Sequence, residues 1–491
     1  MVLTEKGNGW ELFWLLMGRI ATVMGLAMFV PFASALAWRE PEAWLFLLPA
    51  GFSLALGTGM ARLGAEHMRQ LAIREGVLFM VLVWPLMGFV GLMPYYISGL
   101  LPDFSAAFFE TVSSLTTTGL SCLPFDPLGL PRSLRLWQAI MNWIGGLMFV
   151  VVLATVLPQV SGCFGLTLTA RQTIFFSPVW NRMSQSVHQG VSVYALLTLL
   201  AAVLFYLAGL PAEESLMRGM IALSSSGGSS VTSFMVHDNG WLELAAGIAM
   251  VLAGMNLLLC WKAWNRRSVW LLWQDAELRG FFAILVAAGL AISLHLYAMD
   301  CYTLPNSLRY GFFQVASFLS TNGFASASFW LWPDFDRYVL FLLVFVGGCI
   351  GSAGGGLKVM RILVLFRMTR AEIHRTLHPH MVVSVKVDGL PVPAKIVGRI
   401  LAFFFLYMMI FVLFSLILSG AGLDLMQSMG LAAGCLTSTG STAALVGLGN
   451  LHFLPVWAKL ACCLLMILGR IEIFSFLILL DLGARAVRQK W

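Results

Sequence analysis

Four short runs of Ser, Thr and Gly carry the chemistry this sequence offers. They are Leu115-Thr116-Thr117-Thr118-Gly119-Leu120, Ser224-Ser225-Ser226-Gly227-Gly228-Ser229, Leu319-Ser320-Thr321-Asn322-Gly323-Phe324 and Leu436-Thr437-Ser438-Thr439-Gly440-Ser441. None contains Asp or Glu. A divalent-cation site recruits carboxylates, whereas uncharged oxygens suit a hard alkali cation. Glycine adopts the backbone angles of a tight turn without a Cβ penalty, so each run can aim carbonyl oxygens inward to replace water around an ion. The candidate ion-binding residues, with potassium as the ion, are Thr117, Thr118, Gly119, Ser226, Gly227, Gly228, Thr321, Asn322, Gly323, Ser438, Thr439 and Gly440. One such run alone reads as a polar turn or a helix cap. Four of them, counted on Gly119, Gly228, Gly323 and Gly440, recur roughly a hundred residues apart, which is an internal repeat. Glu110 precedes the first run and is either a structural hydrogen-bonding partner or an ion-attracting charge.

A second constellation lies below these runs. Residues 347–356 hold six glycines in ten positions, and each costs about 1 kcal/mol in a helix interior relative to Ala. This predicts a broken helix in mid-membrane. The competing reading is close helix packing, but that needs small residues every fourth position rather than consecutive ones. The run is not a nucleotide-binding P-loop, because Leu357 stands at the Lys position, Lys358 comes one residue late and no hydroxyl follows. Arg470 sits within the last apolar stretch, where a buried arginine costs at least ~2.5–3.5 kcal/mol. Its partner is either the carbonyls of the broken segment or Glu472, although residues two apart on a helix do not face each other. The gate candidates are Gly351, Ser352, Gly354, Gly355, Gly356 and Arg470.

The elements that must position these residues are membrane spans. Of 491 residues 59% are hydrophobic and 11% charged, against about 25% charged in soluble domains. Ten apolar stretches reach the roughly 20 residues a bilayer requires: 12–38, 43–60, 77–98, 136–157, 190–210, 242–264, 281–299, 338–361, 397–419 and 456–480. The first follows a polar start and is too long for a cleavable signal of about 7–15 apolar residues. An even count places both termini on one side. Arg62, Arg69, Arg74, Arg266, Arg267, Arg279, Arg367, Arg370, Arg375, Lys386, Lys395, Arg399, Arg485, Arg488 and Lys490 fall on that side, which makes it cytoplasmic. The net charge of +7 therefore reflects orientation in a lipid bilayer rather than nucleic-acid binding.

Each Ser/Thr/Gly run follows an odd-numbered span on the outer side, after an apolar stretch too short to cross. Irregular backbone at membrane depth is tolerated only inside protein or a wet cavity. A short helix before each turn puts the negative end of its dipole there, which favours a cation. The expected fold is thus an all-α integral membrane protein with about ten transmembrane helices and four pseudo-repeated helix–pore loop–helix units around a central pore. Its parts are two N-terminal helices (1–76), repeat 1 (77–160), repeat 2 (161–275), repeat 3 with the intramembrane loop and a basic cytoplasmic loop (276–395) and repeat 4 (396–491).

Other classes fit less well. No HExxH, nucleophile elbow or paired intramembrane aspartates support an enzyme. The eight cysteines form no CxxC pair or metal spacing and read as buried small side chains. His374, His378 and His380 lie in the basic loop and read as solvated surface. No cofactor is implied. A secondary transporter of small organic solutes also uses broken helices and repeats, but in two inverted halves.

At this point a resemblance is visible. The stretches Phe109-Glu110-Thr111-Val112-Ser113-Ser114-Leu115-Thr116-Thr117-Thr118-Gly119, Trp143-Ile144-Gly145-Gly146-Leu147, Gly347 to Lys358 and Leu468-Gly469-Arg470-Ile471-Glu472 resemble the Trk/Ktr/HKT superfamily of potassium transport proteins, most closely the bacterial Trk-type membrane subunit. The resemblance implies potassium uptake across a bacterial inner membrane through a filter, and a homodimer with a pore in each subunit. It also implies a cytosolic nucleotide-binding regulatory subunit, and a glycine-rich loop held across the pore by the last span's arginine. A serine at the first filter glycine goes with sodium preference in that family, so Gly119 favours potassium. Ser229 stands where the family usually has an aromatic residue, which opens the alternative of a poorly selective or sodium- or proton-coupled alkali cation transporter.

Overall fold

The computed structural model describes residues 10–64, 73–101, 103–123, 130–155, 180–227, 234–235, 239–378 and 384–471. Helices dominate, and the described strands form one small hairpin in which Lys386 and Val387 pair antiparallel with Pro391 and Leu390. Six described helical stretches are long and apolar enough to cross a bilayer: Trp10–Ala37, Pro41–Leu63, Glu75–Ile97, Gln189–Leu207, Ala276–Ala298 and Ala394–Ser419. Their outward faces carry apolar side chains such as Leu48, Leu207, Phe405 and Leu416, all exposed, as a lipid-facing surface demands. Helix Arg132–Thr155 covers the predicted span at 136–157 up to residue 155, beyond which the span lies outside the described residues. Helix Val456–Ile471 begins the predicted span at 456–480, the rest of which lies outside the described residues.

Two predicted spans are interrupted. Residues 338–361 do not form one helix. Helix Asp334–Val346 stops at Gly347, an irregular segment follows, and a new helix runs Val359–Leu377. Gly347, Gly351, Gly356 and Lys358 have φ between 72° and 80°, a left-handed backbone that stops a right-handed helix. The predicted span at 242–264 is also broken, which the sequence reading did not anticipate. Helix Gly240–Gly254 gives way to helix Leu257–Asn265 at an angle of 99°. Asn256 restarts the chain as an N-cap, accepting bonds from the N–H groups of Leu258 at 3.0 Å and Leu259 at 3.2 Å.

Four short helices precede the four Ser/Thr/Gly runs: Phe104–Leu115, Ala212–Leu223, Leu304–Leu319 and Leu425–Thr437. Local signals fix their starts. Asp103 caps the first and Asp424 forms a capping box with Gln427 on the last. The Ser105 hydroxyl bonded to Asp103 holds that carboxyl below its ordinary range. Flanking helices close on the far ends through glycine. A Cβ on Gly145 would stand 1.8 Å from the Leu115 carbonyl, and one on Gly469 would stand 2.2 Å from that of Leu436.

Candidate functional site

The four turns share one backbone geometry. Thr117, Ser225, Thr321 and Ser438 each occupy the left-handed region, with φ of 52°, 56°, 58° and 56°. This region is costly for residues with a Cβ, so its fourfold recurrence marks a shared constraint. The next residue in each repeat donates its N–H five residues back: Thr118 to Ser113, Ser226 to Ile221, Asn322 to Ser317 and Thr439 to Gly434, at 2.8–3.1 Å. This register puts Gly119, Gly227, Gly323 and Gly440 at equivalent positions. The second repeat's glycine is therefore Gly227, one residue earlier than the Gly228 used for the sequence spacing. Gly228 and Ser229 lie outside the described residues.

The glycines serve two purposes. Gly119 and Gly323 have φ of 76° and 83°, as expected of the turn. Gly440 has φ of −59°, which any residue adopts, so the conformational argument does not hold there. What it needs is space, because a Cβ would lie 2.6 Å from the Thr118 carbonyl, the acceptor of the Gly440 N–H at 2.7 Å. The second and third turns touch similarly. Ser225 Oγ donates to the Ser320 carbonyl at 3.1 Å, and Asn322 Nδ2 donates to the Ala222 carbonyl at 2.6 Å. The sequence-predicted filter residues that are described thus come together, and all but the half-buried Gly119 are buried.

The donor set is neutral. Asn322 Oδ1, Ser438 Oγ and Ser441 Oγ are buried without a protein hydrogen-bond partner. A small cavity between the first and second turns is lined by Ser113, Ser114, Gly119, Asn142 and Ser226 among others. Glu110 does not belong to this set. Fully buried, its carboxylate accepts from Cys122 N–H at 2.9 Å, Ser121 Oγ at 3.1 Å and Gln138 Nε2 at 3.0 Å. Of the two roles the sequence left open, the structural one stands, since these bonds fix the chain just after the first turn.

The glycine-rich segment packs against the turns. Gly355 N–H donates to Thr321 Oγ1 at 2.8 Å, and a Cβ on Gly355 would lie 1.9 Å from the Thr437 carbonyl. Arg470, 2% exposed, joins this segment to the first turn. Its Nη1 donates to the Ala353 carbonyl at 2.7 Å, its Nε donates to the Thr116 carbonyl at 2.7 Å, and its Nη2 donates to Thr117 Oγ1. The guanidinium also lies 4.9 Å from the Phe149 ring centre. Glu472, the rival partner, lies outside the described residues.

Three contributors were missed in the sequence. Lys358, buried, donates to the Gly354 carbonyl and to Ser352 Oγ at 3.3 Å. Glu277 ties the middle of the segment to the start of the helix that follows through one oxygen: its Oε1 accepts from Ile350 N–H at 2.7 Å and Met360 N–H at 3.2 Å. The elbow at Gly254–Leu257 grips its middle, for Cys349 N–H donates to the Gly254 carbonyl at 2.8 Å and Leu257 N–H to the Gly351 carbonyl at 3.3 Å. Lys358 carried a signal, an ionisable residue beside a glycine run within an apolar stretch. Glu277 looked like an ordinary acid in the first turn of a span.

Apolar spans, buried short helices ending on hydroxyl-rich turns and an interrupted helix beneath them define a multi-pass helical membrane transport protein. The chain matches the TrkH family, described as cation transport protein, over residues 49–483. It belongs to that family, which is one of transporters and not of enzymes. It is 31% identical over 471 residues to the Trk system potassium uptake protein TrkG of Escherichia coli K12, covering 94% of this chain and 96% of that one. It is 29% identical to the protein TrkH of Halomonas elongata, over 94% and 97% of the two chains. The crystal structure of the potassium transporter TrkH from Vibrio parahaemolyticus superposes with a TM-score of 0.88 at 28% identity, covering 96% of this chain and 98% of that one.

Proposed function

We propose that this chain carries out potassium uptake across the bacterial inner membrane, with both termini cytoplasmic and the four turns as its selectivity filter. The observation that carries the reading is the shared turn: one left-handed residue and one five-residue backbone bond in each of four repeats, without a carboxylate in any of them. Neutral oxygens held by a rigid backbone replace the hydration of a monovalent cation. The names of the relatives, as potassium uptake proteins, support the same ion.

The glycine-rich segment with Ser352 is the gate. Arg470 and Lys358 hold it against the turns in the state described here, and two buried cations beside the ion path oppose the passage of a third. Opening moves the segment off the Thr321 and Thr437 turns. A cytosolic nucleotide-binding regulatory subunit drives that movement, and the transporter works as a homodimer.

The test is rubidium flux into liposomes holding the purified protein, with sodium and lithium as competitors, for the wild type and Gly119→Ser. A serine at φ of 76° distorts the first turn by about 1–2 kcal/mol. Strong competition by potassium, weak competition by sodium and relaxation of this preference in Gly119→Ser are expected. Equal competition by sodium in the wild type would replace the reading with an unselective alkali cation transporter. No cation flux, with or without the regulatory subunit, would refute it.

A further inference from the structure

The elbow at Met255–Asn256 turns the chain out of the bundle. Helix Leu257–Asn265 leaves helix Gly240–Gly254 at 99°, so it does not continue the course of the helix before it. Its depth follows from its neighbours. The Gly351 carbonyl it bonds adjoins Ile350, and Ile350 bonds Glu277 in the first turn of the spanning helix Ala276–Ala298. The inner end of the elbow stays beside the third turn, where a Cβ on Gly254 would stand 3.4 Å from that of Ser320. Residues 264–273 immediately precede the spanning helix Ala276–Ala298 and reach the membrane face where it begins.

The surface it presents there has an unusual composition. Trp264, Val269, Trp270 and Trp273 are 68%, 68%, 70% and 50% exposed, and Arg266 and Arg267 between them are exposed as well. Residues 257–273 contain no acid. Tryptophans beside unopposed arginines fit the headgroup layer, where an indole meets both hydrocarbon and water and a guanidinium meets a phosphate.

We infer that residues 257–273 form an interfacial elbow that docks on anionic phospholipid headgroups and thereby steadies the glycine-rich segment. Charge complementarity selects this occupant over a zwitterionic lipid. The hydrogen bonds between Gly254–Leu257 and Cys349–Gly351 make docking and the segment's position one mechanical event. Anionic lipid then favours the held state and lowers flux. This second half rests on the gating role proposed above.

The first arm reads lipid contact without flux. The protein is reconstituted in phosphatidylcholine vesicles containing brominated phosphatidylglycerol or brominated phosphatidylcholine. Quenching at the elbow is the difference between the wild type and Trp264→Phe/Trp270→Phe. Stronger quenching by the glycerol lipid is expected, and Arg266→Gln/Arg267→Gln abolishes a preference of about thirtyfold, from roughly fivefold per basic residue. Equal quenching by the two lipids overturns the selectivity, and quenching by neither puts a protein surface, such as a second copy of the chain, over the elbow and overturns the docking. The second arm is rubidium flux as phosphatidylglycerol is raised. A fall in the wild type that is absent in the double glutamine variant is expected. Flux that ignores or rises with the anionic lipid overturns the coupling. Absence of flux in every lipid refutes the transport reading and leaves the lipid-docking half to the first arm.

Discussion

Arg470 is where the structure makes its sharpest demand. Replacing it with alanine removes three hydrogen bonds, but only the one from Nη1 to the Ala353 carbonyl reaches the glycine-rich segment. The other two tie the last span to the first turn. A bond from a charged donor contributes about 1.5–3 kcal/mol, so losing the Ala353 bond shifts the balance between held and released segment by about ten- to a hundredfold. Single-channel recording in planar bilayers measures this directly. A wild type open about 1% of the time should become a channel open for about 10–50% of it, by the same conversion. Arg470→Lys supplies the control. An ammonium keeps the charge but cannot span both the segment and the first turn as a planar guanidinium does, so it should fall between the two. Unchanged open probability in Arg470→Ala, in protein that still elutes as a single species, would refute the claim that this arginine holds the segment.

Other outcomes follow from the same contacts. Gly355→Ala places a methyl group 1.9 Å from the Thr437 carbonyl, which the segment accommodates only by moving away. Flux should rise relative to Gly51→Ala, whose added methyl meets nothing within 4 Å, and wild-type flux in Gly355→Ala would contradict the packing. Glu277→Leu orphans the Ile350 and Met360 N–H groups, at about 1–3 kcal/mol each, and should lower the thermal unfolding midpoint while raising flux. Because both bonds converge on one oxygen, Glu277→Gln should behave as wild type in both measurements, and a glutamine variant as unstable as the leucine one would show that the charge matters rather than the acceptor.

The parts of this architecture that sequence shows are those written in composition. Hydroxyls and glycines between apolar stretches located the turns, and a dense glycine run located the break after Val346. The break at Met255 was overlooked because one glycine, Gly254, in an apolar stretch is tolerated within a helix, and the Asn256 that caps the helix that follows gives no break signal on its own. The left-handed positions at Thr117, Ser225, Thr321 and Ser438 were equally hidden, since tertiary contacts force them onto residues whose own preference lies elsewhere. Two adjacent glycines in the second run made its register ambiguous, and only the backbone bond from Ser226 to Ile221 fixes it. Arg470 was singled out as a charge needing a partner, yet sequence could not choose among its partners because Thr116, Thr117 and Ala353 lie in other repeats. For Glu110 sequence left the role open, although its partners Ser121, Cys122 and Gln138 lie in its own repeat.

The shared left-handed turn has one more consequence. In a ring assembled from identical chains, a substitution arrives in every copy at once and the pore's properties change in a single jump. Here the four turns are separate stretches of one polypeptide, already divergent as Thr-Gly, Ser-Gly, Asn-Gly and Thr-Gly after the common left-handed residue. On the proposed function, each turn can drift alone while the other three preserve the filter. Ion preference in such a protein can evolve by quarter steps, and inherited variation should concentrate in whichever quadrant the remaining three can best compensate.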